Sequence, residues 1–311
     1  MAERFEMIEA LDGGRTGEHW RARDSRLDEP VMVKVLYPHL EDDAAFFETM
    51  QREVEYSRRL MHPAVVRSLA VGRRNGTPFV VRDLVEGRPV NRMIDTGPAW
   101  QWDQVRHLLK ELAVVLDEAH EAGIVHGTLS SRDIFLEQET ARAAPAGAIR
   151  VKGFGRVDPE AGGLFPSRYV RFMPRGKPSP ETDLHALGFI AIALLTGRQE
   201  GSVSSRTVSG RSALGLSALP EDARAVVSRL VASDSKQGFR DAGELYRALT
   251  AATEQLAERK PSTDWRPIAL TGMYTLLLIG AWVPLVVFTA LGVCAAGALD
   301  WARGKSDGRA I

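Results

Sequence analysis

Val31-Met32-Val33-Lys34-Val35-Leu36 is an apolar, β-rich run with a single lysine inside it, as expected of a strand buried on both faces. Downstream, Phe46 to Leu60 carries Phe46, Phe47, Met50, Val54 and Leu60 at near-helical spacing among Glu and Arg, with Glu53 in the middle. Pro78 to Val85 holds a second apolar strand, closed by Glu86-Gly87. Beyond it the pattern turns helical. Val105–Ala122 and Leu184–Leu195 carry apolar stripes too long for strands, and Pro220–Leu230 and Ala242–Ala257 follow the same habit. A strand-rich first third and a helical remainder predict a two-lobed α+β domain. The β-rich lobe spans residues 1–86 and the helical lobe 87–258, with the crossing near Leu84–Gly87. Ser202 to Ser217, rich in Ser and Gly, reads as a surface loop.

Of the 311 residues, 40 Lys+Arg balance 40 Asp+Glu, and 26% are charged. Pro267 to Leu299 nevertheless contains no charge at all. Such a run exceeds the ~20 apolar residues that cross a bilayer. It argues against a wholly soluble protein and, being single, against a polytopic transporter. Residues 259–266 then form a juxtamembrane linker, 267–299 the transmembrane part and 300–311 a tail. One straight helix over the whole run would be about 50 Å long, against a hydrocarbon core of ~30 Å, and the tilt needed exceeds the usual range. Pro284, near Trp282, sits at the middle. Either a kinked helix around Met273–Val293 crosses once, or two short helices form a hairpin. Arg259, Lys260 and Arg266 before the run, and Arg303, Lys305 and Arg309 after it, would both stay cytosolic under the positive-inside rule, which favours the hairpin.

The residues before the run carry 37 basic and 38 acidic side chains, so no charge excess points to nucleic acid. The one cysteine, Cys294, permits no intrachain disulfide and no cysteine metal cluster. The N-terminus has no basic segment leading into an apolar core, so no cleavable signal peptide is expected. The expected location is the cell membrane, with the globular domain on the cytoplasmic side.

Upstream of Lys34, Leu11-Asp12-Gly13-Gly14-Arg15-Thr16-Gly17 leads into Trp20-Arg21-Ala22-Arg23-Asp24. Downstream come Glu53, His62-Pro63, Asp83-Leu84-Val85-Glu86-Gly87, His120, Gly123-Ile124-Val125-His126 and Val151-Lys152-Gly153-Phe154-Gly155. Asp183, Gly188 and Leu194-Leu195-Thr196-Gly197-Arg198 follow, and a segment around Asp234 closes the series. In this order and spacing the chain resembles the bacterial (Hanks-type) Ser/Thr protein kinases over roughly residues 5–255. The resemblance implies a protein-kinase-like fold and a nucleotide site drawn from Gly14, Gly17, Lys34, Glu53 and Asp83. It also implies an ion pair between Lys34 and Glu53.

Phosphoryl transfer needs a lysine on the phosphates, carboxylate and amide ligands for Mg²⁺, and an aspartate at the acceptor hydroxyl. The catalytic-loop stretch here is His126-Gly127-Thr128-Leu129-Ser130-Ser131-Arg132-Asp133. Against the family pattern, Thr128 stands where the proton-accepting aspartate belongs, and Ser130 where a lysine faces the transferred phosphate. Asp133 replaces the metal-binding asparagine and can still ligate a cation. Gly153 replaces the metal-bridging aspartate. His19, Met32 and Arg82 are larger or charged replacements in the pocket, which suggests a cleft filled by side chains, and Asp12, in place of the first loop glycine, adds negative charge near where phosphates would lie. Arg171-Phe172-Met173 and Gly238 replace both partners of an ion pair that braces the substrate loop, although Arg240 lies close by. By the same resemblance Asp183 caps backbone near the catalytic loop and His126 stacks with Phe154; His120, on an amphipathic helix, reads as a packed core histidine.

These features point to a membrane-anchored pseudokinase acting as a protein-binding scaffold or regulator, with ATP and Mg²⁺ doubtful as cofactors. Its expected partners are proteins, such as an active kinase or a membrane-assembly factor, and the lipid bilayer. The alternative is a divergent Ser/Thr kinase that uses Asp133 and one metal.

Overall fold

The computed structural model describes residues 4–11, 13, 14, 16–137, 149–156, 178–198, 216, 219–232 and 236–259. Segment 267–299, Asp12, Arg171–Met173, Asp234 and most of Ser202–Ser217 lie outside them. Among the described residues no helix is long and apolar enough to cross a membrane.

The first lobe is a five-stranded antiparallel sheet of β1 (Phe5–Ala10), β2 (Gly17–Asp24), β3 (Glu29–Leu36), β4 (Ser68–Arg74) and β5 (Thr77–Asp83), in the order β1-β2-β3-β5-β4. Period-two alternation divides its side chains. Val31 and Val33 of β3 pack with Ala22, Phe79 and Val81 on one face. On the other, Leu36 and Val80 pack with Leu40, Met50, Phe46 and Phe47. The last three belong to α1 (Ala44–Arg59), so the lysine-bearing strand is covered on both sides. Cross-strand register sets His19 and Val80 opposite Lys34, and Arg82 opposite Met32. Lys34, Met32 and Arg82 therefore share the face turned towards α1.

The helix α1 begins earlier than its apolar stripe because Asp43 caps it, accepting from Phe46 N at 2.9 Å. The second lobe contains α2 (Val90–Thr96), α3 (Trp102–Glu121), α4 (Pro180–Thr196), α5 (Glu221–Leu230) and α6 (Ala242–Arg259). A small sheet of β6 (Gly87–Pro89), β7 (Ile134–Glu137) and β8 (Ile149–Val151) joins them. Leu108, Leu112 and Leu116 of α3 and Leu187, Ile190 and Leu194 of α4 lie at the centre of one large core. α4 is apolar nearly all round, and from Thr182 to Leu194 every residue but His185 is buried, as suits a helix running through a lobe. It begins before Leu184 because Ser179 and Thr182 form a capping box around a polar first turn. That turn carries Asp183 into the interior.

β7 and β8 are antiparallel neighbours, and each continues a segment of chemical interest. The loop between α3 and β7 contains residues 126–133, while β8 runs into Gly153-Phe154-Gly155. Lys152 N donates to Asp133 O at 2.9 Å, fixing the two segments side by side.

Candidate functional site

The loop after α3 is held by one buried carboxylate. Asp183, 1% exposed, accepts from His126 N at 2.9 Å and from Gly127 N at 2.7 Å. His120 Nε2 of α3 lies 2.8 Å from its Oδ2. The His126 ring meets Phe154 edge-on at 4.9 Å between centroids, and its Nε2 lies 3.0 Å from Lys152 O. Backbone, helix and aromatic contacts thus fix the place of the loop without any ligand.

Within that fixed loop Thr128 is buried, and its Oγ1 has no hydrogen-bond partner among the described residues. Ser130 Oγ donates to Asp133 Oδ2 at 2.8 Å, and Arg156 Nη1 donates to Asp133 Oδ1 at 2.8 Å. Both oxygens of the carboxylate expected to ligate a cation are therefore engaged within the chain.

Arg156 is the organising residue of the cleft. Its Nε also donates to Glu53 Oε1 at 3.0 Å, so one guanidinium bridges α1 and the catalytic loop, matching two carboxylates as a planar fork can. The guanidinium lies against Gly153. A Cβ placed on that glycine would sit 2.6 Å from Arg156 Cζ, so the room a side chain at 153 would occupy is taken. Glu53 Oε2 pairs with Arg82 and accepts from Ser68 Oγ at 3.2 Å. Arg82 is 6% exposed and also reaches Ser68 Oγ through Nε at 3.2 Å. A continuous chain Arg82–Glu53–Arg156–Asp133 results.

This corrects the expected pairing of Glu53 with Lys34. The ammonium of Lys34 donates instead to Thr16 Oγ1 of the glycine-rich loop and lies 5.7 Å from the Phe46 ring centre. Guanidinium is more weakly hydrated than ammonium and donates along several directions, so the two arginines take the buried carboxylate. Burial raises the Glu53 pKa, but Arg82 and Arg156 outweigh it and hold the group down at about 2. Burial likewise works against charge on Asp133, yet Arg156, His126 and Lys152 keep its pKa lowered. For Arg156 burial opposes the charge, and Asp133 and Glu53 more than restore it. Lys34 shows the reverse balance: burial first, then Arg82 and Arg156, lower it to about 7.

The other expected nucleotide contacts are also committed. Asp83 accepts from Arg67 N, Nε and Nη2 at 2.9, 3.0 and 2.9 Å. Gly17 lies in β2 so close to β3 that a Cβ would come 2.1 Å from Val35 O. Gly14 N donates to Gly17 O at 2.9 Å, and a Cβ on Gly14 would stand 3.1 Å from the His19 ring. Lys152 and Arg156 were missed in the sequence, although the pair of basic residues flanking Gly153-Phe154-Gly155 was a visible signal.

The fold brings an expectation of Mg²⁺ with ATP, and the residues present do not fit the metal. Mg²⁺ usually requires one or two carboxylates besides phosphate. Gly153 supplies none, Asp133 is occupied, and Arg156 puts a positive charge between Asp133 and Glu53. No group of three or more His, Cys, Asp or Glu suited to a metal occurs among the described residues.

The protein kinase domain family matches residues 5–162, half of the chain. The serine/threonine-protein kinase pkn2 of Myxococcus xanthus is 27% identical over 83% of this chain and 33% of its own length. A probable serine/threonine-protein kinase PknB of Lactococcus lactis is 24% identical, covering 81% of this chain and 42% of that protein. The chain thus spans a third to under half the length of these relatives. In the solved structures, the PknI kinase domain of Mycobacterium tuberculosis superposes with a TM-score of 0.61 at 21% identity, over 80% of this chain and 96% of that domain, a likeness of fold. The ordered lobes, the loop held by Asp183 and these matches lead to one statement: this chain belongs to the protein kinase domain family, among the relatives of bacterial serine/threonine kinases.

Proposed function

We propose that this protein is a membrane-anchored pseudokinase, a kinase fold serving as a protein-binding scaffold or regulator and not as a phosphotransferase. The observation that carries the reading is the position of Arg156. Its guanidinium fills the space beside Gly153 and binds two buried carboxylates, Glu53 and Asp133. Thr128 in the proton-acceptor position strengthens it, because a hydroxyl is no base near neutral pH. A cleft braced by internal ion pairs keeps α1 and the catalytic loop together without nucleotide, which suits a surface read by other proteins. The charge-free run from Pro267 to Leu299 supplies the proposed anchor, with the kinase-like domain on the cytoplasmic side.

The test is radiolabel transfer from γ-labelled ATP by the full chain, purified in detergent, with Mg²⁺ or Mn²⁺ and generic protein acceptors. No incorporation above that of a Lys34→Ala variant is expected. Transfer that disappears in Lys34→Ala would establish the divergent-kinase alternative instead. The anchor is tested separately in membrane vesicles, where the chain should resist alkaline extraction and a variant lacking residues 267–299 should not.

A further inference from the structure

Beside the crossing between the lobes, three segments meet around one carboxylate. Val66 N donates to Val151 O at 2.8 Å and Val151 N to Ala64 O at 2.7 Å, so the chain entering β4 runs alongside β8 and carries Arg67 towards Arg150. Asp83, the last residue of β5, joins them. Its carboxylate accepts from Nε and Nη2 of Arg67 at 3.0 and 2.9 Å, and Arg150 Nη2 stands 3.7 Å from its Oδ2. The second contact is an ion pair too long for a hydrogen bond. Arg150 thus donates no side-chain hydrogen bond among the described residues, and its buried Nε has no partner there.

A guanidinium presents its N–H groups in a fixed fork, and a half-buried fork without an acceptor is costly until an anion meets it. Two cations against one carboxylate leave one positive charge over. Glu29, exposed on β3, acts on Arg67 from a distance and forms no ion pair with either arginine among the described residues. The side chains of Arg67 and Arg150 are 47% and 23% exposed, so a ligand can reach both from solvent. The charge left over decides the class of that ligand. A carboxylate brings a single negative charge and the planar shape that the fork matches. A phosphate dianion would overshoot and repel Asp83.

Resting on the reading of this chain as a protein-binding scaffold, we infer that Arg67 and Arg150 form a docking site for a carboxylate side chain in an acidic segment of a partner protein. Asp83 holds Arg67 in place, and Arg150 supplies the unfilled donors. The site uses no side chain of the Arg82–Glu53–Arg156–Asp133 chain, so it needs neither nucleotide nor metal.

Fluorescence anisotropy of the full chain in detergent, at low salt and without nucleotide, tests this with fluorescein-labelled hexaglutamate as probe and hexaglutamine as control. Saturable binding of hexaglutamate only is expected. In Arg150→Gln, affinity should fall ~10-fold, as expected for lost charge-assisted hydrogen bonds. Arg74→Gln, which removes an exposed arginine at the far end of β4, should leave it unchanged. Circular dichroism checks the fold of each variant. Arg150→Lys, which keeps the charge and loses the fork, should also weaken binding and serves if Arg150→Gln misfolds. No saturation at millimolar hexaglutamate, equal losses in the Arg150 and Arg74 variants, or an unchanged affinity in the folded Arg150 variants would overturn the inference. A triphosphoserine peptide of equal charge that binds more tightly through Arg150 would make phosphate the ligand and overturn the carboxylate assignment. Phosphotransfer activity would overturn the pseudokinase reading instead, and is measured independently.

Discussion

The cluster around Asp183 and the cluster around Glu53 both bury a carboxylate, and they bury it for different ends. Asp183 is met by two backbone N–H groups and a histidine, contacts that hold a loop in place whatever its side chains do. Glu53 is met by two arginines, contacts that displace the lysine the fold would ordinarily set there. The framework of the catalytic loop and the chemistry of the cleft are therefore separable. The first can persist while the second is rewired, because backbone donors are independent of sequence and ion-pair partners are not.

The largest effect expected of any single change lies in the first cluster. Asp183→Ala leaves buried donors without an acceptor, at ~1–3 kcal/mol each, and should destabilise the fold by about 4 kcal/mol in urea unfolding. A loss below ~1 kcal/mol would remove Asp183 from the framework. Next comes Glu53→Gln, which keeps the shape but strands the two arginines and should cost about 3 kcal/mol near pH 7. The sign with pH follows from the lowered pKa. Glu53 titrates at about 2 when folded against 4.5 ordinarily, so its contribution is full above pH ~4.5 and lost as pH falls towards 2. The acid limb of the stability curve should flatten in the variant.

Lys34→Met should act in the opposite direction. The folded group titrates at about 7 against an ordinary 10.5, facing Arg82, Arg156 and Lys152 with Glu53 as the opposing charge. The unfolded chain holds more protons between those values, so stability rises with pH across pH 7–10.5. The methionine variant should be more stable by about 2 kcal/mol at pH 6 and should lack that rise. A melting temperature lowered at pH 6 would mean that Lys34 is a stabilising partner after all. The smallest effect belongs to Thr128→Val, which removes a buried hydroxyl that has no partner among the described residues and should leave stability unchanged or raise it by up to about 1 kcal/mol. A loss of more than that would show that the hydroxyl is engaged.

Much of this comparison was legible in the amino-acid order. Apolar periodicity located β3, β5, α1, α3 and α4, and the spacing of Lys34, Glu53, His126, Gly153 and Asp183 carried the family. α1 and α4 start ahead of their apolar stripes, because polar capping turns carry no apolar period. β6 and β8, of three residues each, are too short to show a period at all. Within the site, the missing carboxylate at Gly153 could be read directly, but its replacement could not. Arg156 lies 103 positions from Glu53, and a basic residue beside a glycine triplet says nothing of which carboxylate it will reach. Partner choice among several lysines and arginines depends on desolvation and fork geometry in three dimensions.

The contact between Gly153 and Arg156 also makes the two positions interdependent. Gly153→Asp alone would put a carboxylate in a place a guanidinium already fills, so Arg156 would have to abandon Glu53 or Asp133 to admit it. Removing Arg156 alone would leave two buried acidic groups short of a partner. A side chain at 153 and the guanidinium of Arg156 thus compete for one volume, and admitting the first takes a change at both positions.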